Sequence, residues 1–339
     1  MMTLPAGSGK QANTAAPRKP NGRFQNLVPR RHGWGDALRW MVTRHAGKWH
    51  PQRDAQPGSP PPRSSDRLRI TFVNHASFLL QLYGINILTD PIWSERASSV
   101  TWAGPRRFRP PGIRFEDLPP IHLVLLSHDH YDHMDLPTLQ RLASQRHPIV
   151  YTGLKNAAYL AKHGIGNVIE LDWWQMASTS GLRITAVPAQ HFSGRTLFDR
   201  DKRLWCGFVV EAGEACIYFA GDTGAGPHIE ATAQHFPNID LAILPIGAYL
   251  PEWFMGEVHM SPGEAVTAHM TLDARVSVGC HFGTFALADD GEDQPLEDLQ
   301  RALQHTNLRG TEFWTLGSGE GRDVPVRLPL DRPGEITAD

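Results

Sequence analysis

Residues 125–135 read LLSHDHYDHMD, which sets His128, His130, Asp132 and His133 at the spacing H-x-H-x-D-H. Imidazole nitrogens and carboxylate oxygens are ligands that suit Zn²⁺, with Fe or Mn as options. One tetrahedral ion does not readily take four side chains from so tight a loop. Alternate residues of an extended segment point opposite ways. The spacing therefore predicts that His128 and His130 face one ion while Asp132 and His133 turn toward a second. Two ions need further ligands, and other candidate strand ends offer them: His191 after LRITAVPAQ, Asp222 after CIYFAG and His281 after RVSVGC. A water shared by two such ions is a nucleophile near neutral pH, and the ion pair neutralises a phosphoryl oxygen during in-line displacement.

The elements around these residues must make the strand ends converge. IHLVLLS (121–127) is continuously apolar and predicts a strand buried on both faces. It delivers the motif into the crevice beyond the strand's carboxyl end, where α/β folds place their sites. LRITFV (68–73), SFLLQL (77–82) and INILTD (85–90) predict an opening meander turned at Tyr83-Gly84. Asp135 is expected to cap a helix with Pro137 in its first turn. A second β-rich half follows at 182–189, 205–211, 216–222, 240–246 and 275–281, with helical patterns near 226–236, 261–272 and 294–305. Two β-rich halves with outer helices predict an α/β four-layer sandwich. GDTGAG (221–226) reads as a tight turn presenting Asp222 rather than as a phosphate cradle. Ser193 has no base at nucleophile-elbow spacing, and Trp173 and Trp174 read as packing residues.

Composition bounds the rest. The 339 residues are 41% hydrophobic, enough for one large domain with appendages. We divide the chain into an N-terminal extension over 1–66, a folded domain that carries the metal motif over 67–325 and a tail over 326–339. The net charge of −2 gives no reason to expect nucleic acid. Residues 1–54 nevertheless hold ten Lys/Arg against two acids, leaving 23 basic against 33 acidic residues in the remainder. Such a head permits contact with an anionic membrane surface. Within it, 1–32 is expected to be disordered or draped over the body. WGDALRWMVTRH (34–45) carries Trp34, Leu38, Met41 and Val42 at helical spacing. Two readings of that helix stand open, one docked on the domain and one lying in a membrane interface. PQRDAQPGSPPPRSSD (51–66) reads as a linker. Three cysteines make no disulfide framework and fit a reducing compartment. No apolar run is long enough to span a bilayer, so the expected location is cytoplasmic, with peripheral membrane association as an option.

HDHYDH together with PAQHFSGR, FAGDTG and CHFGTFAL resembles the metallo-β-lactamase fold superfamily. GPRRFRPPG (104–112), LDWW (171–174), PIGAY with WFM (245–255) and HFGTFALADD (281–290) resemble the N-acylphosphatidylethanolamine-hydrolysing phospholipase D family. The resemblance implies an αββα fold with one zinc on His128, His130 and His191. It implies a second zinc on Asp132, His133 and His281, with Asp222 bridging. It further implies hydrolysis of a phospholipid phosphodiester to phosphatidic acid and an N-acylethanolamine, and a homodimer. Asp132 or Asp222 is then a candidate general base. His259, in GEVHMSP, is the candidate proton donor to the leaving group and lies near the substrate phosphate. His75, in VNHASF, is expected beside the metals on the substrate side. Arg107, with Arg106 and Arg109, is a candidate phosphate contact. Asp129 stands where the family's animal members carry asparagine, and its side chain is expected to point away from the metals. The alternative activity is a lactonase or a hydrolase of a small sugar-phosphate-like substrate.

Overall fold

The computed structural model describes residues 15–52, 54–306, 308 and 312–327. The rest of the extension (1–14) and most of the C-terminal tail (328–339) lie outside the described residues. The chain opens with the helix α1 (Trp34–Thr43) and then builds two sheets in succession. The first takes β1 (Arg69–Asn74), β2 (Ser77–Leu82), β3 (Ile85–Thr89), β4 (Leu123–Leu126), β5 (Ile149–Gly153) and β6 (Val168–Leu171), with α2 (Leu136–Gln145) and α3 (Ala157–Ala161) between them. The second takes β7 (Met176–Thr179), β8 (Leu182–Val187), β9 (Gly207–Ala212), β10 (Ala215–Phe219), β11 (Leu241–Pro245), β12 (Val276–Cys280) and β13 (Phe313–Trp314). Its helices are α4 (Pro227–His235), α5 (Glu252–Met255), α6 (Pro262–Leu272) and α7 (Gln294–Gln304). β14 (Gly321–Asp323) returns to pair with β1, giving the orders β14-β1-β2-β3-β4-β5-β6 and β13-β12-β11-β10-β9-β8-β7.

One core lies between the sheets: Ile70, Phe72, Phe78 and Leu80 of the first meet Phe208, Val210, Ile217 and Ile243 of the second. The alternate residues of the first sheet, among them Leu79, Leu88, Val124 and Leu126, form a second core with Leu139 and Leu142 of α2. Strands buried on both faces read as continuous apolar runs, which is why LVLL in β4 is buried throughout. The fold is an α/β sandwich of two facing sheets with helices outside.

The topology puts the site at one rim. β3 runs parallel to β4, and β10 runs parallel to β11 and β12. β1 and β8 are each related to those strands through two antiparallel pairings, so they run the same way. The carboxyl ends of β1, β3 and β4 therefore open on one edge of the first sheet and those of β8, β10 and β12 on one edge of the second, and contacts among Asp132, His133, Asp222 and His281 bring the two edges together.

Residues 15–52 lie against the body. Phe24 is fully buried in the main core. Asn26 donates from Nδ2 to the His191 carbonyl (2.7 Å) and accepts from the His191 N–H on Oδ1 (3.0 Å). α1 docks through Trp40, stacked on Phe254 with 5.6 Å between ring centres. Trp34, Leu38, Met41 and Val42, the apolar stripe of the sequence, face outward at 64%, 58%, 61% and 79% exposure. At the other end, Val326 packs on the core and the Arg327 N–H donates to Asp240 (2.7 Å), so the chain is still engaged with the body past residue 325. No described helix is long and apolar enough to cross a membrane.

Candidate metal centre

The motif loop departs from the extended path expected for it. Residues 130–133 form a turn, with the His133 and Met134 N–H groups both donating to the His130 carbonyl (3.2 and 2.8 Å). His128 follows the end of β4, and the turn swings Asp132 and His133 to the other side. The predicted division into two pairs therefore arises from a chain reversal rather than from alternation.

Three nitrogens gather on one side. His128 Nε2 lies 2.9 Å and His191 Nε2 3.2 Å from His130 Nδ1. On the other side, Asp132 Oδ2 stands 3.2 Å from His133 Nε2 and 3.4 Å from His281 Nε2. Asp222 Oδ2 lies between the groups, 3.1 Å from His133 Nε2 and His281 Nε2, 3.7 Å from His191 Nε2 and 3.9 Å from His128 Nε2. Tetrahedral ligands on bonds of about 2.0–2.1 Å sit roughly 3.3–3.4 Å apart, close to this spacing. His133 Nε2, His281 Nε2 and Asp222 Oδ1 are buried and have no hydrogen-bond partner. Buried polar atoms are rarely left so, and a cation satisfies all three. The donor set fits metal binding.

Neighbouring groups fix the ligand tautomers. His133 donates from Nδ1 to Asp90 Oδ2 (2.6 Å). The Ser127 hydroxyl donates to the same carboxylate (2.5 Å) and lies 2.9 Å from His128 Nδ1. With its own proton committed to Asp90, Ser127 can only accept from His128. Both Nε2 lone pairs are thereby left for a metal, a common arrangement behind metal-binding histidines. His191 Nδ1 donates to the Val258 carbonyl (2.9 Å) with the same result. Burial, followed by neighbouring imidazoles, holds His128 well below the usual histidine range, in the neutral form that ligates. Burial pulls His133 down as well, but Asp222, Asp132 and Asp90 outweigh it and leave His133 well above that range.

Local backbone explains the presentation. His75, Asp90 and His281 adopt φ of 49°, 32° and 63°. Such left-handed conformations concentrate at functional sites. Gly221, at φ 61°, precedes Asp222, and a Cβ there would lie 2.6 Å from Ser127 Cβ. Only glycine lets the loop after β10 approach the loop after β4 this closely.

The remaining sequence candidates divide. His75 is buried, with Nε2 2.8 Å from Asp132 Oδ2, so it positions that carboxylate. His259 lines the cavity above the cluster, and its unpartnered Nδ1 is 4.0 Å from Asp222 Oδ2. Ser261 does form the expected capping box with Glu264 at the start of α6. Arg107 does not come to the cluster. It is buried, donates to the carbonyls of Ser94 (2.9 Å) and Ile92 (3.2 Å), and lies 5.4 Å from the centre of the Phe285 ring, which meets His75 edge-on. Arg109 pairs with Glu292 (3.0 Å) and Arg106 with Glu95 (3.4 Å). An arginine-rich segment reads as a phosphate contact in one dimension, whereas here carbonyls and carboxylates of the fold take up donors of all three arginines, and Arg107 Nη1 and Arg109 Nε are left without a partner. Asp129 points away from the cluster: Oδ1 accepts the Gly194 N–H (2.7 Å) and Oδ2 accepts Arg203 Nε (2.5 Å).

Sequence reasoning missed Asp90, although it ends the strand INILTD and so carries the same strand-end signal as the ligands. It also missed the contribution of the extension. A cavity of about 320 Å³ over the cluster is walled by Ala37, Trp40, Phe192, Phe254 and Leu287, with Arg30 and Arg200 on one side.

The Beta-lactamase superfamily domain matches residues 85–282. An N-acyl-phosphatidylethanolamine-hydrolyzing phospholipase D of Caenorhabditis elegans is 37% identical over 272 residues, 76% of each chain. The chain belongs to this phospholipase D family of the beta-lactamase superfamily. An uncharacterised Mycobacterium tuberculosis protein shares 34% identity with this family member over 97% of its chain and 86% of the mycobacterial one. Among solved structures, Igni18, a metallo hydrolase from Ignicoccus hospitalis, superposes with a TM-score of 0.58 at 20% identity, covering 77% of this chain and 99% of its own. At that identity the likeness bears on the fold alone.

Proposed function

We propose that the protein is a dinuclear zinc hydrolase that cleaves the phosphodiester of N-acylphosphatidylethanolamine, releasing phosphatidic acid and an N-acylethanolamine. The observation that carries this reading is the position of Asp222 Oδ2, within 4 Å of nitrogens in both histidine groups. One carboxylate oxygen facing two ligand sets is what a pair of ions requires, whereas a single structural ion needs four closed ligands. His128, His130 and His191 would hold one ion and Asp132, His133 and His281 the other, with Asp222 shared. Two zinc ions in such a site supply Lewis acidity and acidify water toward neutrality.

The chain's own residues do the rest. Asp132 or Asp222, both lining the cavity, is placed to take a proton from water attacking phosphorus while it ligates. His75 holds Asp132 in register. His259 faces the cavity and is placed to protonate the departing N-acylethanolamine oxygen. Burial pushes His259 down to about 4. An arriving phosphodiester brings the negative charge that raises it. The apolar walls from Trp40, Phe254 and Leu287 fit acyl chains better than a small polar ester. The outward stripe of α1, beside the same mouth, fits a lipid surface.

The test is turnover of N-acylphosphatidylethanolamine by zinc-loaded protein in ¹⁸O-water, read by mass spectrometry. Attack at phosphorus puts the label in phosphatidic acid and none in the N-acylethanolamine. Hydrolysis of lactones with no phosphodiester turnover would replace this reading with the alternative.

A further inference from the structure

The cavity over the metal cluster does not end at its apolar walls. A second cavity of about 450 Å³ adjoins it, and the two share Arg30, His32 and Arg200. Lys19 and Arg23 add positive charge to the second cavity, and Asp201 is the single carboxylate lining it. Asp201 pairs with Arg30 at 3.3 Å. Arg200 makes no ion pair among the described residues. Both guanidiniums lie over the ring of Phe192, 4.9 and 4.6 Å from its centre. Phe192 in turn meets the His130 ring edge-on at 4.5 Å, so the two arginines stand one aromatic ring beyond a metal-ligand imidazole. Burial, then the charge of Arg200, lowers the Arg30 pKa, with Asp201 and Glu257 opposing the shift. Two half-buried guanidiniums set against one ring, of which only Arg30 has a carboxylate ion-pair partner among the described residues, form a preorganised receptor for a further anion.

We propose that Arg30 and Arg200 form an anion subsite beside the metal centre that binds a phosphate or carboxylate group, so that the site also takes phosphodiesters carrying a second anionic group, a wider class than N-acylphosphatidylethanolamine, whose one charge is the scissile diester. The inference rests on the phosphodiesterase reading for its role in turnover, though not for the existence of the site. A substrate with a second anionic group places one charge at the metal cluster and the other between the guanidiniums. The extension contributes Arg30 and the loop after β8 contributes Arg200, so substrate choice is set by residues outside the metal motif.

The experiment compares two 4-nitrophenyl phosphodiesters on zinc-loaded full-length protein, one with a neutral alkyl group and one with an alkyl group ending in a carboxylate. Wild type is expected to show a KM roughly tenfold lower for the charged ester, the worth of one charge-assisted contact. Arg200→Gln and Arg30→Gln bring the KM ratio to about one, Arg200→Lys restores part of it, and the distant Arg183→Gln leaves it unchanged. Thermal melts confirm that each variant is folded. A wild-type ratio of one, or a ratio that survives both glutamine variants, overturns the subsite. If neither ester turns over, inorganic phosphate titrated calorimetrically into chelator-treated protein decides. Binding lost in Arg200→Gln upholds the subsite while the phosphodiesterase reading falls. Binding that is absent, or equal in wild type and variant, sinks the subsite as well.

Discussion

Replacing Asp129 with alanine tests how the motif loop is held. Asp129 is fully buried and Arg203 nearly so, and their 2.5 Å contact ties the loop after β4 to the loop after β8. Removing one partner of a buried pair typically costs about 3–5 kcal/mol. The Gly194 N–H loses its acceptor as well, which costs about 1–3 kcal/mol in isolation. Asp199 also pairs with Arg203 and tempers the loss. These contributions share partners and do not add, so we expect about 3–5 kcal/mol in total. At about 2.1 cal/mol/K per residue this corresponds to a Tm lower by about 4–7 °C. Asp129→Asn should lose less, yet it is not neutral: both carboxylate oxygens accept hydrogen bonds here, and an amide offers only one acceptor. The assay is urea denaturation with chelator present, so that metal binding does not enter the stability, together with a double-mutant cycle against Arg203→Met. A loss under about 1 kcal/mol for Asp129→Ala, or a coupling energy under about 0.5 kcal/mol, would refute the reasoning.

Other perturbations probe separate parts of the molecule. Asp90→Asn removes the carboxylate behind His133 and Ser127 and should weaken metal affinity about 10–100-fold with the fold intact; a competition titration with a fluorescent chelator reads it, and unchanged affinity counts against the tautomer argument. Burial holds His228 down at about 4. Between the unfolded value near 6.5 and that value the unfolded chain binds the proton and the native chain does not, so stability falls as pH drops through this window. His228→Asn should flatten the stability-versus-pH curve there, and an unaltered slope denies the contribution. Leu38→Ser with Val42→Ser should abolish co-sedimentation with anionic liposomes while sparing turnover of a soluble diester; retained sedimentation would move the membrane contact to another surface.

The strands that bring ligands were legible because each is an apolar run ending in a titratable residue. β2 falls over the predicted residues, and α4, α6 and α7 lie within a residue or so of the helical patterns. β6 and β7 were not legible, because half-buried or exposed edge strands such as VIEL and MAST carry little apolar signal. The sequence pointed to the seven His and Asp residues that gather in the cluster, and not to what surrounds them. Asp129 was expected to turn from the metals, but its partner Arg203 lies 74 residues away. Arg30 sits in a basic, Pro-rich segment whose composition suggests a loose head, and Trp40 sits in a helix whose docking on the domain was one of two open readings. Contacts such as Asn26 with His191 and Trp40 with Phe254 fasten both, and such pairings have no periodicity to reveal them. The stripe of α1 was visible by spacing, but its direction depends on what lies opposite. The helix docks by the side bearing Trp40 and leaves Trp34, Leu38, Met41 and Val42 outward.

The most direct test is a crystal of the zinc-loaded protein with anomalous diffraction measured on either side of the zinc edge. The account predicts two peaks, one at bonding distance from His128, His130 and His191 and one from Asp132, His133 and His281, with Asp222 reaching both. A single peak, or zinc bound away from these seven side chains, would contradict it.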